Sequence, residues 1–400
     1  MARIVIVGGS FGGLTTAMHL RKRLSRKHDI SIISSDDRFV FMPSLPWLAL
    51  GTRRSDSVTF GLKKLLSSKG INFMHDTVNI IDPDRQVVST NGGETSYDFL
   101  VLTTGPHLDF ASVPGLGPET GFTESIFTLE HAERTYRSWL RLLEEGGPVV
   151  VGATQGVSCF GPAYEYIFGI DHMLRRHKRR SKTPLYFVTS EPYLSHFGLG
   201  GLGKSRSLME DEFAAHDIKV FCNAVVQEIV PGSVRLADGT ELPFKLAMFA
   251  PPFRGVDAII DSGLGNPKGW LVVDEYYRLP RHENIYAAGV SVMIKAPEAT
   301  PVPTGVPKTG SMTTTMARVV AHNIAAEIRG GLKLSLPVEE IGVTCLADMG
   351  DSAALMVAQP ALPPRQKVIL KKRRWFLWVK VAFERYFMLK TKLGFTNLPG

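Results

Sequence analysis

A short β-branched run, Arg3 to Val7, breaks into Gly8-Gly9-Ser10-Phe11-Gly12-Gly13; Leu14 to Leu24 follows at helical spacing and Asp29 to Ser34 returns as a strand. This predicts a βαβ unit, and two parallel strands joined through a helix commit the region to a helix-covered sheet. A glycine turn at that point lets backbone amides approach a pyrophosphate at the positive end of the helix. Gly8, Gly12 and Gly13 serve that purpose. The match to GxGxxG is imperfect, because Ser10 stands at the second glycine position and Ser34 where an acid ordinarily holds the adenosine ribose. Taken alone, the turn also fits a strand-to-helix connection without ligand.

A second unit starts at Pro148 to Val151, which runs into Gly152-Ala153-Thr154-Gln155-Gly156; a helix is predicted from Pro162 to Arg179 and a strand from Leu185 to Thr189. Its turn has been altered. Thr154 and Val157 occupy the later glycine positions, and their branched side chains obstruct a pyrophosphate, which disfavours NAD(P)H as electron donor. Glu191 lies beyond the usual offset for a ribose acid and is discounted. The turn instead carries Ser158-Cys159-Phe160-Gly161-Pro162, with Pro162 suited to a first helical turn. Cys159 is thereby expected at a helix N-terminus, where partial positive charge lowers a thiol pKa and favours a nucleophilic thiolate; a small buried residue at a turn is the alternative.

Two later segments, Thr103-Thr104-Gly105 and Asn284 to Gly289, together with the first turn, resemble the three separated flavin contacts of the two-dinucleotide-domain flavoproteins. Here Val290 follows Gly289 where the general pattern has Asp. More specific is Gly156-Val157-Ser158-Cys159-Phe160-Gly161-Pro162-Ala163-Tyr164-Glu165, which resembles the second-domain cysteine motif of bacterial sulfide:quinone oxidoreductases. Ser190-Glu191-Pro192-Tyr193 with His196, the Pro-rich run Thr300 to Gly310, Cys345 in Cys-Leu-Ala-Asp-Met-Gly-Asp, and Lys380 to Phe387 are similar to that family in the same order. The resemblance covers nearly the whole chain.

That resemblance implies FAD as cofactor, sulfide as donor and a membrane quinone as acceptor, with Cys159 and Cys345 meeting as a redox disulfide or sulfur-bridged pair. It assigns cofactor contacts to Gly8, Ser10, Gly12, Gly13, Ser34, Ser35, Pro43, Thr104, Gly105, Gly289, Lys308 and Thr309. Lys308 is placed beside the flavin pyrimidine, where positive charge stabilises the reduced ring. Proton handling falls to Glu165, His131 and His196, although each also fits an ordinary structural role. Lys380, Phe383 and Leu346 match quinone-pocket positions, Leu346 standing where relatives often carry an aromatic ring. Phe127 replaces a third family cysteine, so the FAD is expected to be non-covalent. Cys222 has no counterpart and is expected in the core.

The expected fold is α/β with two tandem Rossmann-like dinucleotide-binding domains and a C-terminal amphipathic membrane-binding segment. The FAD domain is discontinuous, 1–113 and 284–345; the second domain, 114–283, carries Cys159; 346–400 serves quinone and membrane. Near its end Lys371-Lys372-Arg373-Arg374 precedes Trp375-Phe376-Leu377-Trp378. From there Trp375, Val379, Ala382, Phe383 and Tyr386 form an apolar stripe, with Lys380, Glu384 and Lys390 expected elsewhere on the wheel. A net charge of +8 favours an anionic partner. Basic residues beside an aromatic helix favour a lipid surface over nucleic acid. No apolar run reaches the roughly 20 residues that a spanning helix needs, so membrane association is expected to be peripheral. The opening residues enter a strand at once, no export signal is read, and the cytoplasmic face is the default. Three cysteines at irregular spacing exclude a disulfide scaffold and metal-site spacing. A homo-oligomer stays open. The competing assignments are a type II NADH:quinone reductase, which needs an intact second glycine turn, and a basic flavoprotein with a binding role.

Overall fold

The computed structural model describes residues 1–395; residues 396–400 of the expected C-terminal region lie outside the described residues. Its first unit consists of β1 (Arg3–Val7), α1 (Phe11–Arg23), β2 (Asp29–Ser34), the short helix α2 (Leu45–Ala49), β3 (Asn72–His75) and β4 (Phe99–Leu102). β1 lies between β2 and β4, parallel to both, and β3 extends the sheet beyond β2. Ile4 to Val7 are all buried, the continuous apolar run of a parallel strand covered on both faces.

The chain then builds a second sheet from α3 (Leu129–Glu145), β5 (Val149–Ala153), α4 (Gly161–Arg176), β6 (Leu185–Thr189), β7 (Ile218–Phe221) and β8 (Leu246–Ala250). Its order is β7-β6-β5-β8, all parallel. The chain returns to the first sheet with β9 (Arg278–Leu279) and β10 (His282–Ala287), giving the order β9-β10-β4-β1-β2-β3. Position 284, expected as a domain boundary, therefore falls inside β10. Helix α5 (Gly310–Arg329) packs along α1.

The C-terminal region holds more than the helix expected there. β11 (Val343–Asp348), β12 (Ala353–Gln359) and β13 (Lys367–Arg373) form an antiparallel sheet that precedes α6 (Trp375–Leu393). Cys345 pairs with Met356 and Leu346 with Leu355, so the expected boundary between 345 and 346 lies inside β11.

On α6 the apolar stripe and the charged positions Lys380 and Glu384 lie on different faces, as their spacing implies, and it is the charged positions that turn inward. Phe376, Lys380, Glu384 and Phe387 are its buried residues, whereas Trp375, Trp378, Val379, Ala382 and Phe383 are exposed. The inward face is thus partly charged and the outward face apolar. The physical reason is that other parts of the fold supply partners for the two buried charges, described below. Among the described residues no helix is long and apolar enough to cross a membrane.

Candidate active site

Cys159 lies in the turn between β5 and α4, Cys345 lies on β11, and α4 packs against β11. Both thiols are free and partly accessible. Burial nevertheless pushes Cys159 up to about 12, with Cys345 and Glu165 adding to the rise and Lys308 opposing it. Burial likewise pushes Cys345 up to about 11, Glu165 adding and Lys380 opposing. Both thiols are thus surrounded by protein while solvent still reaches part of each residue. The expected low thiol pKa at Cys159 is therefore corrected: α4 begins only at Gly161, and desolvation outweighs what its N-terminus offers.

Glu165 stands in the first turns of α4, where its carboxylate accepts a hydrogen bond from Lys380 Nζ at 2.5 Å. Burial holds the Glu165 pKa up and Lys380 works against it. The Lys380 ammonium also lies 4.9 Å from the Trp47 ring centroid, and the Arg53 guanidinium lies 4.3 Å from the same ring. Trp47 Nε1 donates to Asp348 at the end of β11. Glu384 accepts from Arg53 Nη2 at 2.8 Å and from Ser44 Oγ at 2.6 Å. A line of polar contacts thus runs from the cysteine pair to the inner face of α6, and it satisfies both charges buried there.

Lys308 immediately precedes Thr309, whose hydroxyl caps α5 by accepting from Met312 N. Burial lowers Lys308 to about 8 while Cys159 opposes the fall. The two histidines stand elsewhere. His196 hydrogen-bonds through Nε2 to Glu298 at 2.8 Å and accepts from Gly198 N at Nδ1. His131 bonds to Glu119 at 2.7 Å near the start of α3. Among the described residues neither histidine hydrogen-bonds to Cys159, Cys345 or Glu165. Phe127 is buried with its ring edge-on to Phe253, and Cys222 packs half-buried against the core.

The first glycine turn is built to bring backbone close to a ligand. Gly8 has φ +106°, and a Cβ there would meet Thr103 O at 2.2 Å; a Cβ on Gly13 would meet Gly8 O at 1.8 Å. Ser10 gives α1 no side-chain cap and no acid occupies its first turn, so the leading amides keep their donors for an anion. Across the cleft Gly105 faces open space, Thr104 stands half-exposed, and Gly289 turns at φ +85° beside Thr313. These residues fit the pyrophosphate and ring contacts of a dinucleotide such as FAD. Ser35 and Pro43 are exposed, whereas Ser34 is buried against Gly9 and accepts from Asp36 N.

Residues 2–158 match the family model for pyridine nucleotide-disulphide oxidoreductases. The sulfide-quinone reductase of Aquifex aeolicus (strain VF5) is 41% identical over 399 residues, covering 98% of this chain and 91% of the relative. The chain belongs to the sulfide:quinone oxidoreductase family. A crystal structure of the sulfide:quinone oxidoreductase from Aquifex aeolicus superposes with a TM-score of 0.94 at 39% identity, over 98% of this chain and 92% of that one. A type II NADH:quinone oxidoreductase of Staphylococcus aureus is 23% identical over 393 residues, 92% of this chain and 93% of the relative, a likeness that extends to the fold alone.

Among features that bear on membership of the sulfide:quinone oxidoreductase family, the second nucleotide turn is filled from within. Gly156 N donates to Pro303 O at 2.7 Å, Gly305 N donates to Val157 O at 2.8 Å, and a Cβ on Gly305 would strike Ser158. The Pro-rich loop therefore sits where a second pyrophosphate would approach. Glu191 is fully buried and points inward, accepting from Tyr164 Oη, Thr189 Oγ1 and Phe197 N. It has no face left for a ribose.

Proposed function

We propose that the protein is a sulfide:quinone oxidoreductase in which Cys159 and Cys345 form the sulfur-reactive pair. The observation that carries this is the packing of α4 against β11, which brings Cys159 and Cys345 from widely separated segments together with Lys308 and Glu165 acting on them. Hydrosulfide attacks the oxidised, sulfur-bridged pair: one S–S bond forms as another breaks, leaving a persulfide on one cysteine and a thiolate on the other. Lys308 stabilises the negative charge that appears at Cys159, which burial alone would oppose. Repeated turnover lengthens the sulfur chain.

The cleft of Gly8, Gly12, Gly13, Gly105 and Gly289 would hold FAD non-covalently, and the bound flavin would supply a two-electron carrier between the sulfur pair and quinone. Asp36 offers the carboxylate that Ser34 does not. Lys380 and Glu165 would hold protons for a quinone, and Leu346 and the exposed Phe383 would line its pocket. The filled second turn and the inward Glu191 argue against NADH as donor. His196, through Glu298, ties down the loop that leads to Lys308, and this serves positioning better than proton transfer.

The outward apolar face of α6 supports peripheral membrane association. Trp378 is 77% exposed and Trp375 58% exposed, too much aromatic surface for water unless lipid covers it. Of the four basic residues before α6, Lys372 is engaged by Glu212 at 2.5 Å, leaving Lys371, Arg373 and Arg374 outward for anionic headgroups. The deciding experiment is anaerobic titration of the flavin-loaded protein with sulfide and, separately, with NADH, followed by decylubiquinone. Sulfide is expected to bleach the flavin and quinone to restore it, with Cys159→Ser or Cys345→Ser abolishing the response. Bleaching by NADH but not by sulfide would overturn the assignment.

A further inference from the structure

Lys308 is a half-buried side chain whose ammonium no carboxylate neutralises among the described residues; the titratable group acting on it is the Cys159 thiol. Its Nζ lies 4.4 Å from the centroid of the Trp270 ring. An indole face is the best of the aromatic partners for a cation, and the attraction grows as water is removed. Trp270 is itself held firmly. Asn266 Oδ1 accepts from Trp270 N at 3.0 Å, Asn266 N donates to Trp270 O at 2.9 Å, and Leu271 N donates to Ser291 O. Gly269 turns at φ +75° against Gly255 so closely that a Cβ would sit 2.8 Å from Gly255 Cα. The ring is thus presented from a turn with little freedom, on a segment distinct from the cysteine and cofactor motifs.

We infer that Trp270 is a positioning residue for the sulfur reaction: its indole face holds the Lys308 ammonium charged and aimed at Cys159. This rests on the sulfide:quinone oxidoreductase reading, since Lys308 matters there as the cation beside a forming thiolate. Without the ring, Lys308 keeps its burial and loses the contact that favours its charged form. Its proton should then leave at lower pH, which is the direction burial already pushes it.

Competitive acetylation with acetic anhydride, read at Lys308 by peptide mass spectrometry over a pH series, reports where the amine becomes neutral. It is done on the full chain with and without FAD and needs neither sulfide nor quinone. Failure of the catalytic assignment and failure of the clamp are therefore separately visible. In Trp270→Leu, Lys308 labelling is expected to begin about one pH unit lower than in the parent, and in Trp270→Phe at an intermediate pH. The basic limb of sulfide-driven flavin bleaching should move down with it, and Lys308→Arg, which stays charged, should remove that displacement in the Trp270→Leu background. An unchanged onset in both ring variants, or an onset that rises, would overturn the inference. A purely structural role would lower thermal stability without grading the onset from Trp to Phe to Leu.

Discussion

Replacing Trp378 by Ser tests whether the outward face of α6 meets lipid. The side chain is 77% exposed. With about 250 Å² available to a tryptophan, roughly 190 Å² lies open, equivalent to about 5 kcal/mol at about 25 cal/mol/Å² if all of it entered hydrocarbon. An interfacial helix inserts only its apolar side, so taking about half of this leaves roughly 2 to 2.5 kcal/mol, a loss of about 30- to 60-fold in partitioning. Folding should hardly change, within about 0.5 kcal/mol, because the ring packs little against the protein. Co-sedimentation with vesicles containing anionic lipid gives the partition coefficient, and thermal unfolding without lipid gives the stability. Vesicle binding equal to the parent would refute the membrane role of the stripe. Loss of stability without lipid would show that protein, not lipid, covers the ring.

Lys380→Met should leave sulfide bleaching intact but slow reoxidation by decylubiquinone by about 100-fold, the usual scale of a lost proton donor; stopped-flow absorbance separates the two steps. Glu165→Gln strands Lys380 in the interior and should destabilise by about 3 to 5 kcal/mol, much of which the double variant with Lys380→Met recovers in urea denaturation. Asp171, fully buried on α4, would be raised by burial, but hydrogen bonds from His216, Arg175 and Arg180 outweigh this and hold it at about 2, below the ordinary 3.8. A depressed carboxylate contributes stability above its unfolded value and loses it as pH falls through about 2. That contribution amounts to roughly 2.5 kcal/mol, and Asp171→Asn should remove it from the acid limb of a stability-versus-pH curve. Cys222→Ser should leave sulfide-driven bleaching unchanged within about twofold, since that thiol packs on the core away from the pair.

The two parallel units were legible because buried parallel strands are continuous apolar runs and the glycine turns follow them at once. Cys159 was legible as a departure from a nucleotide turn. That Cys345 joins it could be reached only through family likeness, since the meeting depends on how β11 lies against α4. The expected charge effect at Cys159 failed because a helix terminus is a local feature while desolvation comes from the whole surround. On α6 the spacing revealed a stripe, but no periodicity says which face turns inward. Lys380 and Glu384 lie inside because Glu165, Arg53 and Ser44, distant in sequence, meet them there. The C-terminal antiparallel sheet went unread, as Val343–Asp348 and Ala353–Gln359 carry short apolar runs that periodicity alone does not separate from helix.

The segment that fills the second turn also leads directly to Lys308. Engineering this scaffold to take electrons from a nicotinamide would therefore require more than restoring glycines at Thr154 and Val157. The obstructing backbone from Pro303 to Gly305 would have to be withdrawn, and withdrawing it would unseat the lysine that faces Cys159. Partial remodelling should therefore yield an enzyme poor with both donors instead of a generalist.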